Sequence, residues 1–378
     1  MIVMALDHVR DFIHRDAALF SPTDLAKTSV ALFFTRWVTH FCMPVFMFAA
    51  GMGAFFYGRR KQDAKQLSQF LWKRGIWFIF LEFAVMQFAY NFNFSRDYIV
   101  LLLILWIFGL CFIFMAALVR LPLPWLLPLS LAVILFHNAL DFLRPADGNP
   151  FVLVVSALHQ PNIFAVAGFR FLVSYPPVPW LFVMAAGYCF GQLFLLEPPR
   201  RQRIIGRLGL LTTAAFVAIR AVNVYGDPAP WSHQKSAVFT FLSFLNTTKY
   251  PPSLEFLLMT LGPAFLLLGF YDRCRWKDSN PLLVFGRVPL FYFVLHFYAI
   301  HALVLILAFF RYGTGASRFI FNPVPAMGGP QQLYPPNFGY PFGVVYLCWI
   351  MLIVALYPCC RWFTGVKATR RAWWLSYL

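Results

Sequence analysis

The stretch Ile99-Val100-Leu101-Leu102-Leu103-Ile104-Leu105-Trp106-Ile107-Phe108-Gly109-Leu110-Cys111-Phe112-Ile113-Phe114-Met115-Ala116-Ala117-Leu118-Val119 contains no charged residue. A helix needs about 20 consecutive apolar residues to cross a bilayer core, and this run is long enough. Comparable runs recur and place spans near 28–57, 75–92, 98–119, 123–141, 178–196, 204–222, 254–271, 281–309 and 342–360. The opening, 1–12, reads as the end of a further span cut short at Met1. The sequence therefore predicts an all-α, polytopic transmembrane bundle of about ten spans in a single domain, 1–378. The runs are continuous rather than alternating, which argues against a β-barrel.

Composition agrees. Of 378 residues, 61% are hydrophobic and 12% charged, whereas a soluble domain carries about 25% charged residues. The net charge is +17, and the basic residues cluster between apolar runs. Lipid headgroups and the positive-inside rule explain that pattern better than nucleic acid does, so no nucleic-acid partner is expected. The seven cysteines form no CxxC pair, which argues against a disulfide framework or a zinc knot.

The loops rich in Lys and Arg are 58–74, 200–207, 273–277 and 361–371, and they fall on one side if all ten spans cross. That side is the cytoplasm, and it includes the C-terminus. The opposite loops, 13–27, 142–177, 223–253 and 310–341, are rich in Pro, Asn, Trp, Tyr and His. Such loops either seat helix ends at the interface or cap a shared cavity. Residues 151–157 suggest a re-entrant segment. Glycine-bearing spans permit a homodimer.

Ionisable residues at membrane depth are costly unless paired or wet. Asp7, His8, Arg10 and Asp11 lie where the first helix leaves the bilayer. One reading is an ion-pair cluster that fixes topology. The other is a histidine base with a carboxylate helper, with His8 as first candidate and His14 as second. Arg36 and His40 are one helical turn apart, and Pro44 kinks the helix below them. Glu82 lies inside a span and requires a partner such as Arg74, Gln87 or a group on another helix. Asn91 and Asn93 lie near the end of that span. His137, Asn138 and Asp141 share a helix end and form a polar cluster with the loop at His159. Tyr292 and His296 share a face, and His296 is either buried and hydrogen-bonded or lines a ligand tunnel. There is no HExxH, GxSxG, Walker or dinucleotide motif, and no metal is expected. Physics alone leaves two readings: an enzyme that moves an activated group across the membrane, or a transporter or flippase of a lipid or cell-envelope precursor.

The segments Val3-Met4-Ala5-Leu6-Asp7-His8-Val9-Arg10-Asp11-Phe12, Thr35-Arg36-Trp37-Val38-Thr39-His40-Phe41, Leu158-His159-Gln160-Pro161, Lys249-Tyr250-Pro251-Pro252-Ser253 and Phe285-Gly286-Arg287-Val288-Pro289 carry a resemblance. So does the tail Trp373-Trp374-Leu375-Ser376-Tyr377-Leu378. Together they resemble bacterial membrane proteins with a heparan-alpha-glucosaminide N-acetyltransferase-like catalytic domain. Family members start with a further Asp-x-Leu-Arg-Gly-type segment, so the native start is expected upstream of Met1. The resemblance implies a bacterial inner-membrane acyltransferase. Acetyl-CoA or another acyl-CoA would be the donor, and an envelope glycan or small molecule the acceptor. On this reading His8 is the base, Asp7 or Asp11 orients it, and Arg36 or His40 stabilises the oxyanion. Arg59, Arg60, Arg200, Arg201, Arg287 and His296 would hold acyl-CoA.

Overall fold

The computed structural model describes residues 1–17, 19–92, 99–141, 154, 157–277, 280–319, 338–370, 372 and 375. Asn93, most of the expected re-entrant segment at 151–157 and most of the tail at 373–378 lie outside them. In chain order the elements are α1 (Ile2–Ile13), α2 (Val30–Thr39), α3 (Cys42–Lys61), α4 (Ala64–Leu81), α5 (Gln87–Asn91), β1 (Val100–Leu102), α6 (Ile104–Leu118) and α7 (Leu123–Phe136). There follow β2 (Asn162–Val166), β3 (Phe169–Val173), α8 (Pro177–Phe190), α9 (Pro198–Val222), α10 (Ala237–Leu245), α11 (Leu254–Tyr271), α12 (Pro281–Arg287), α13 (Pro289–Tyr312) and α14 (Phe342–Thr369).

The protein is a polytopic helical bundle, but among the described residues seven helical segments rather than ten are long and apolar enough to span a membrane. They are Val30–Lys61, Leu123–Leu140, Pro177–Leu195, Pro198–Val222, Leu254–Tyr271, Pro289–Ala316 and Phe342–Thr369. The other three expected spans fall short for separate reasons. α1 has only 12 residues. α4 carries Lys65, Lys73 and Arg74 and then passes into a π-helical turn, Glu82–Met86. The run from Ile99 to Val119 does not form one helix: it opens as a strand and turns helical only at Ile104, leaving 15 helical residues.

Two buried side chains cause that break. The Glu82 carboxylate accepts hydrogen bonds from the backbone N–H groups of Leu103 (3.1 Å), Leu105 (2.9 Å) and Trp106 (3.2 Å). A carboxylate there satisfies the orphan donors of the first helical turn and suits the positive end of the helix. Gln87 holds both backbone groups of Leu101, donating to its carbonyl at 2.5 Å and accepting from its N–H at 3.2 Å. Irregular backbone survives at membrane depth only where protein satisfies it in this way. The partners of Glu82 are thus the start of α6 and the Tyr90 hydroxyl (3.2 Å).

The chain is also not purely helical. β1 runs parallel to β3, and β3 pairs antiparallel with β2 in the order β1-β3-β2. Ala167 and Gly168 both take positive φ (51° and 81°) in the two-residue β2–β3 turn, the geometry that matches strand twist. The sheet leads β1 into Leu103 and β3 into Tyr175, so it sets both at one end of the bundle.

Helices pair in close contact, notably α3 with α8 and α4 with α6. A Cβ on Gly51 would collide with the Met184 carbonyl oxygen, and one on Gly187 with the Phe48 carbonyl oxygen. Small residues let membrane helices approach to this distance. At one end of the bundle, residues 58–64, 119–123 and 192–195 border a common groove. At the other, Asn246 donates to the Thr23 carbonyl (3.0 Å), Arg15 N–H to the Tyr340 carbonyl (3.2 Å) and Tyr225 to the Leu135 carbonyl (2.6 Å). The basic loops therefore gather at one end and the Pro- and aromatic-rich loops at the other.

Two polar groups, the buried Arg220 and the half-buried Asp227, organise the second end. Arg220 donates to Glu255 (2.7 Å) and to the carbonyls of Ala229, Ser243, Phe244 and Asn246. Asp227 accepts from Thr248 N–H (2.7 Å), the Thr248 hydroxyl (2.7 Å) and the Ser253 hydroxyl (2.6 Å), which staples residues 248–253. His137, Asn138, Asp141 and His159 come together nearby, with His159 Nε2 2.7 Å from Asp141 and Asn138 accepting from Leu254 N–H at 2.8 Å.

Backbone contact at Gly187 leaves no room for a side chain, whereas a Cβ on Gly53 meets nothing within 4 Å. Overpacking costs typically ~1–3 kcal/mol and more against rigid backbone. Gly187→Leu is therefore expected to lower the melting temperature in detergent sharply or to abolish folding, with Gly53→Ala close to wild type. Asp227→Ala is expected to raise amide exchange selectively across 248–254, leaving α3 and α8 protected, as read by hydrogen–deuterium exchange.

Candidate active site

α1 presents Asp7, His8 and Asp11 to a chamber of about 110 Å³, whose walls also carry apolar side chains such as Met43 and Phe297. Arg36 comes from α2, Tyr90 from α5, and Tyr175, Lys249 and Tyr250 from the loops before α8 and α11. Asp7, His8, Asp11 and Arg36, singled out in the sequence, do meet around one cavity.

Their pairing differs from expectation. One Asp7 oxygen accepts from Arg10 (2.9 Å) and the other forms an ion pair with Arg36. Arg10 also donates to Asp11 (2.6 Å). Two carboxylates and two guanidinium groups thus neutralise one another, the condition under which buried charge is tolerated. No hydrogen bond joins His8 to Asp7 or Asp11 among the described residues. The expected carboxylate helper is not in place, because both carboxylates are engaged by arginine. His8 Nδ1 is buried and unpartnered, so Nε2 is the ring nitrogen left to exchange protons with the chamber.

His40 does not reach the chamber. It is buried with its ring 5.5 Å from Phe256, because the chain turns between α2 and α3 and aims it at α11. His14 packs on Phe342 with centroids 4.5 Å apart, and its Nδ1 accepts from Asp16 N–H at 3.3 Å.

A larger, mainly apolar chamber of about 740 Å³ lies below the first. Phe46 and Ile104 line both, so the two chambers lie side by side across a shared wall. The lower walls come from α3, α4, α6 and α13, with Gly53, Phe78, Phe108 and Phe293 among them. Arg60 and Arg74 lie at the opposite end, the Arg74 guanidinium over the Phe70, Phe78 and Phe112 rings. Along α3 the distance from Phe46 to Arg60 is about 21 Å at 1.5 Å per residue.

The basic residues named from sequence divide. Arg60 lines the lower chamber, and Gly286 and Pro289 on either side of Arg287 do too. Arg59 borders a separate groove. Arg201 is held by Asp272 through two hydrogen bonds (3.0 and 2.8 Å), so it is already neutralised. Arg200 is exposed and lines neither chamber. His296 is fully buried beside His8 and far from the basic end, because α13 carries it two turns in from Pro289.

Sequence reasoning missed Lys249, Tyr250, Tyr175 and Tyr90 as chamber residues. Lys249 has no hydrogen-bond or ion-pair partner among the described residues; its ammonium lies 5.2 Å from the Tyr250 ring centroid. Tyr250 and Tyr175 hydroxyls are 3.1 Å apart. Burial raises the Tyr250 phenol, but the Lys249 and Arg36 cations outweigh it and hold the group below the usual tyrosine range. The signal in the sequence was a lone lysine between Thr247-Thr248 and Tyr250-Pro251-Pro252, with no acidic residue beside it.

No curated protein and no solved structure matches this chain. The family described as heparan-alpha-glucosaminide N-acetyltransferase, catalytic, matches residues 6–227, more than half the chain, including His8 and the rest of α1 from Leu6 together with α2 and α3. On that match the chain belongs to the heparan-alpha-glucosaminide N-acetyltransferase catalytic family.

Proposed function

We propose that the protein transfers an acetyl or longer acyl group from cytosolic acyl-CoA to an amine or hydroxyl of a sugar-like acceptor at the extracytoplasmic face of a bacterial inner membrane. The observation that carries this reading is that the chamber holding His8 and the larger apolar chamber share the wall residues Phe46 and Ile104. Arg60 and Arg74 at the basic mouth suit the CoA phosphates, and the apolar length above them suits the pantetheine arm and acyl group. The whole chain acts as one catalytic unit on this reading, because Lys249, Tyr250 and Phe297, beyond the family match, complete the chamber. The basic-loop end faces the cytoplasm, as the positive-inside rule favours, and the C-terminus lies there.

With the thioester at the Phe46–Ile104 neck, the acceptor enters from the Lys249–Tyr250 side. His8 Nε2 takes the proton from the acceptor as its nitrogen or oxygen attacks the acyl carbon. Positive charge from Arg36 and Lys249 lies on the same wall for the oxyanion. The carbon–sulfur bond then breaks, and the CoA thiolate takes the proton from His8. Proton removal of this kind is worth ~10²–10⁴-fold.

The purified chain is expected to bind acetyl-CoA by calorimetry at micromolar or tighter strength, with Gly53→Trp, which fills the lower chamber, abolishing binding. A folded protein that binds neither acetyl-CoA nor CoA would favour transport of an envelope precursor instead. His8→Ala is expected to retain acetyl-CoA binding and to lose acetyl transfer to glucosamine by at least about tenfold. A smaller loss would remove His8 from the base role.

A further inference from the structure

His296 has no place in the mechanism as described, yet it is the nearest titratable ring to His8. The two ring centroids are 5.2 Å apart and tilted by 46°. Phe297 packs on both rings, 4.3 Å from His8 and 4.6 Å from His296, and Phe293 closes on His296 at 5.7 Å. Within this aromatic cage three polar atoms are buried without a partner: His8 Nδ1, His296 Nε2 and the hydroxyl of Tyr292, whose ring stacks on His296 at 5.3 Å. An orphaned buried polar atom is costly, so two on adjacent rings require an explanation.

The tautomers supply one. His296 Nδ1 lies 3.0 Å from the Tyr292 carbonyl oxygen, one turn earlier on α13. A carbonyl only accepts, so Nδ1 carries the proton. In the neutral ring Nε2 then holds a lone pair, and it is the atom left unpartnered. His8 can act as a base through Nε2 only if its own proton sits on Nδ1. In a serine triad a carboxylate accepts that Nδ1 proton and fixes the tautomer. Here Asp7 and Asp11 are both engaged by arginine.

We infer that His296 is the positioning residue for His8: its Nε2 lone pair accepts a hydrogen bond from His8 Nδ1–H, which keeps the His8 Nε2 lone pair facing the chamber. Catalytic hydrogen bonds are often long before substrate binds and shorten in the reacting complex, and ring centroids 5.2 Å apart leave these two rings close enough for such a bond to form there. No proton is transferred to His296. His8 Nε2 gains the acceptor's proton as the acyl–nitrogen or acyl–oxygen bond forms and returns it to the CoA thiolate as the carbon–sulfur bond breaks. A neutral imidazole in this role leaves the aromatic cage uncharged, which suits a wall that already holds balanced ion pairs. This inference rests on the acyltransferase reading for its consequence in rate, but not for its signature in the resting protein.

The test uses the full chain in lipid nanodiscs with ¹⁵N-labelled histidine, the His8 signals identified by their loss in His8→Asn. The expected result is His8 with Nδ1 protonated and Nε2 bare, and His296 likewise. His296→Phe, which keeps the packing but removes the acceptor, is expected to convert His8 to a mixture of tautomers. It should lower kcat for acetyl transfer to glucosamine by at least about tenfold with acetyl-CoA affinity unchanged. His296→Gln, whose amide oxygen can accept, is expected to restore the tautomer and most of the rate. A wild-type His8 protonated on Nε2 would overturn the inference, as would an unchanged His8 spectrum in His296→Phe. Absence of acetyl-CoA binding by the wild type would instead overturn the acyltransferase reading, leaving the tautomer result to stand or fall separately.

Discussion

The site depends on one constraint: charge placed at membrane depth must be neutralised where it stands. Asp7 meets it by accepting from Arg10 within α1 and pairing with Arg36 on α2, and Arg10 extends the set to Asp11. These contacts lock the short α1 against α2 and fix which side of α1 looks into the bundle. His8, next to Asp7, is thereby set on the wall of the upper chamber. Removing any one partner would leave a buried charge unpaired, a loss of several kcal/mol. The cluster serves architecture first, and on the proposed reading the reactivity of the site derives from the His8 ring beside it.

The same constraint, met by backbone, shapes the wall between the two chambers. Glu82 and Gln87 satisfy the N–H groups around Leu101 to Trp106, so the apolar run there breaks into a strand and a helix. Ile104, at the break, lines both chambers. A continuous helix would have needed no polar partner at that point. The far-end loops are tied with equal economy: Arg220 gathers four carbonyls, and Asp227 holds the stretch that presents Lys249 and Tyr250.

Much of this is readable in the residues, and the gaps have physical causes. Apolar runs identify the helices, because a bilayer demands length and hydropathy that composition records directly. Their number was overestimated: hydropathy cannot show that Ile99–Leu102 is tied off by a glutamate and a glutamine from another segment. The clustering of Asp7, His8, Asp11 and Arg36 was legible because intramembrane ionisable residues need partners. Which partner each one takes was not, since spacing on α1 allows both Asp–His and Asp–Arg pairs and only the packing of α2 decides. Lys249 and Tyr250 lie more than two hundred residues from His8, and tertiary structure alone brings them together. For His296 the helix face left two readings open, a buried and hydrogen-bonded ring or a tunnel residue, and the structure has it buried at the flank of His8 with Nδ1 on the Tyr292 carbonyl.

The central claim is that a path from the basic end of the bundle terminates at His8. An acyl-CoA carrying a photoreactive group at its acyl terminus tests it directly, applied to sealed membrane vesicles of known orientation and followed by peptide mapping of the adducts. Labelling of α1 around His8 and of α3 around Phe46 in inside-out vesicles, with little in right-side-out vesicles, is the predicted result. Labelling only in right-side-out vesicles, or adducts confined to surface loops with none in α1, would contradict it.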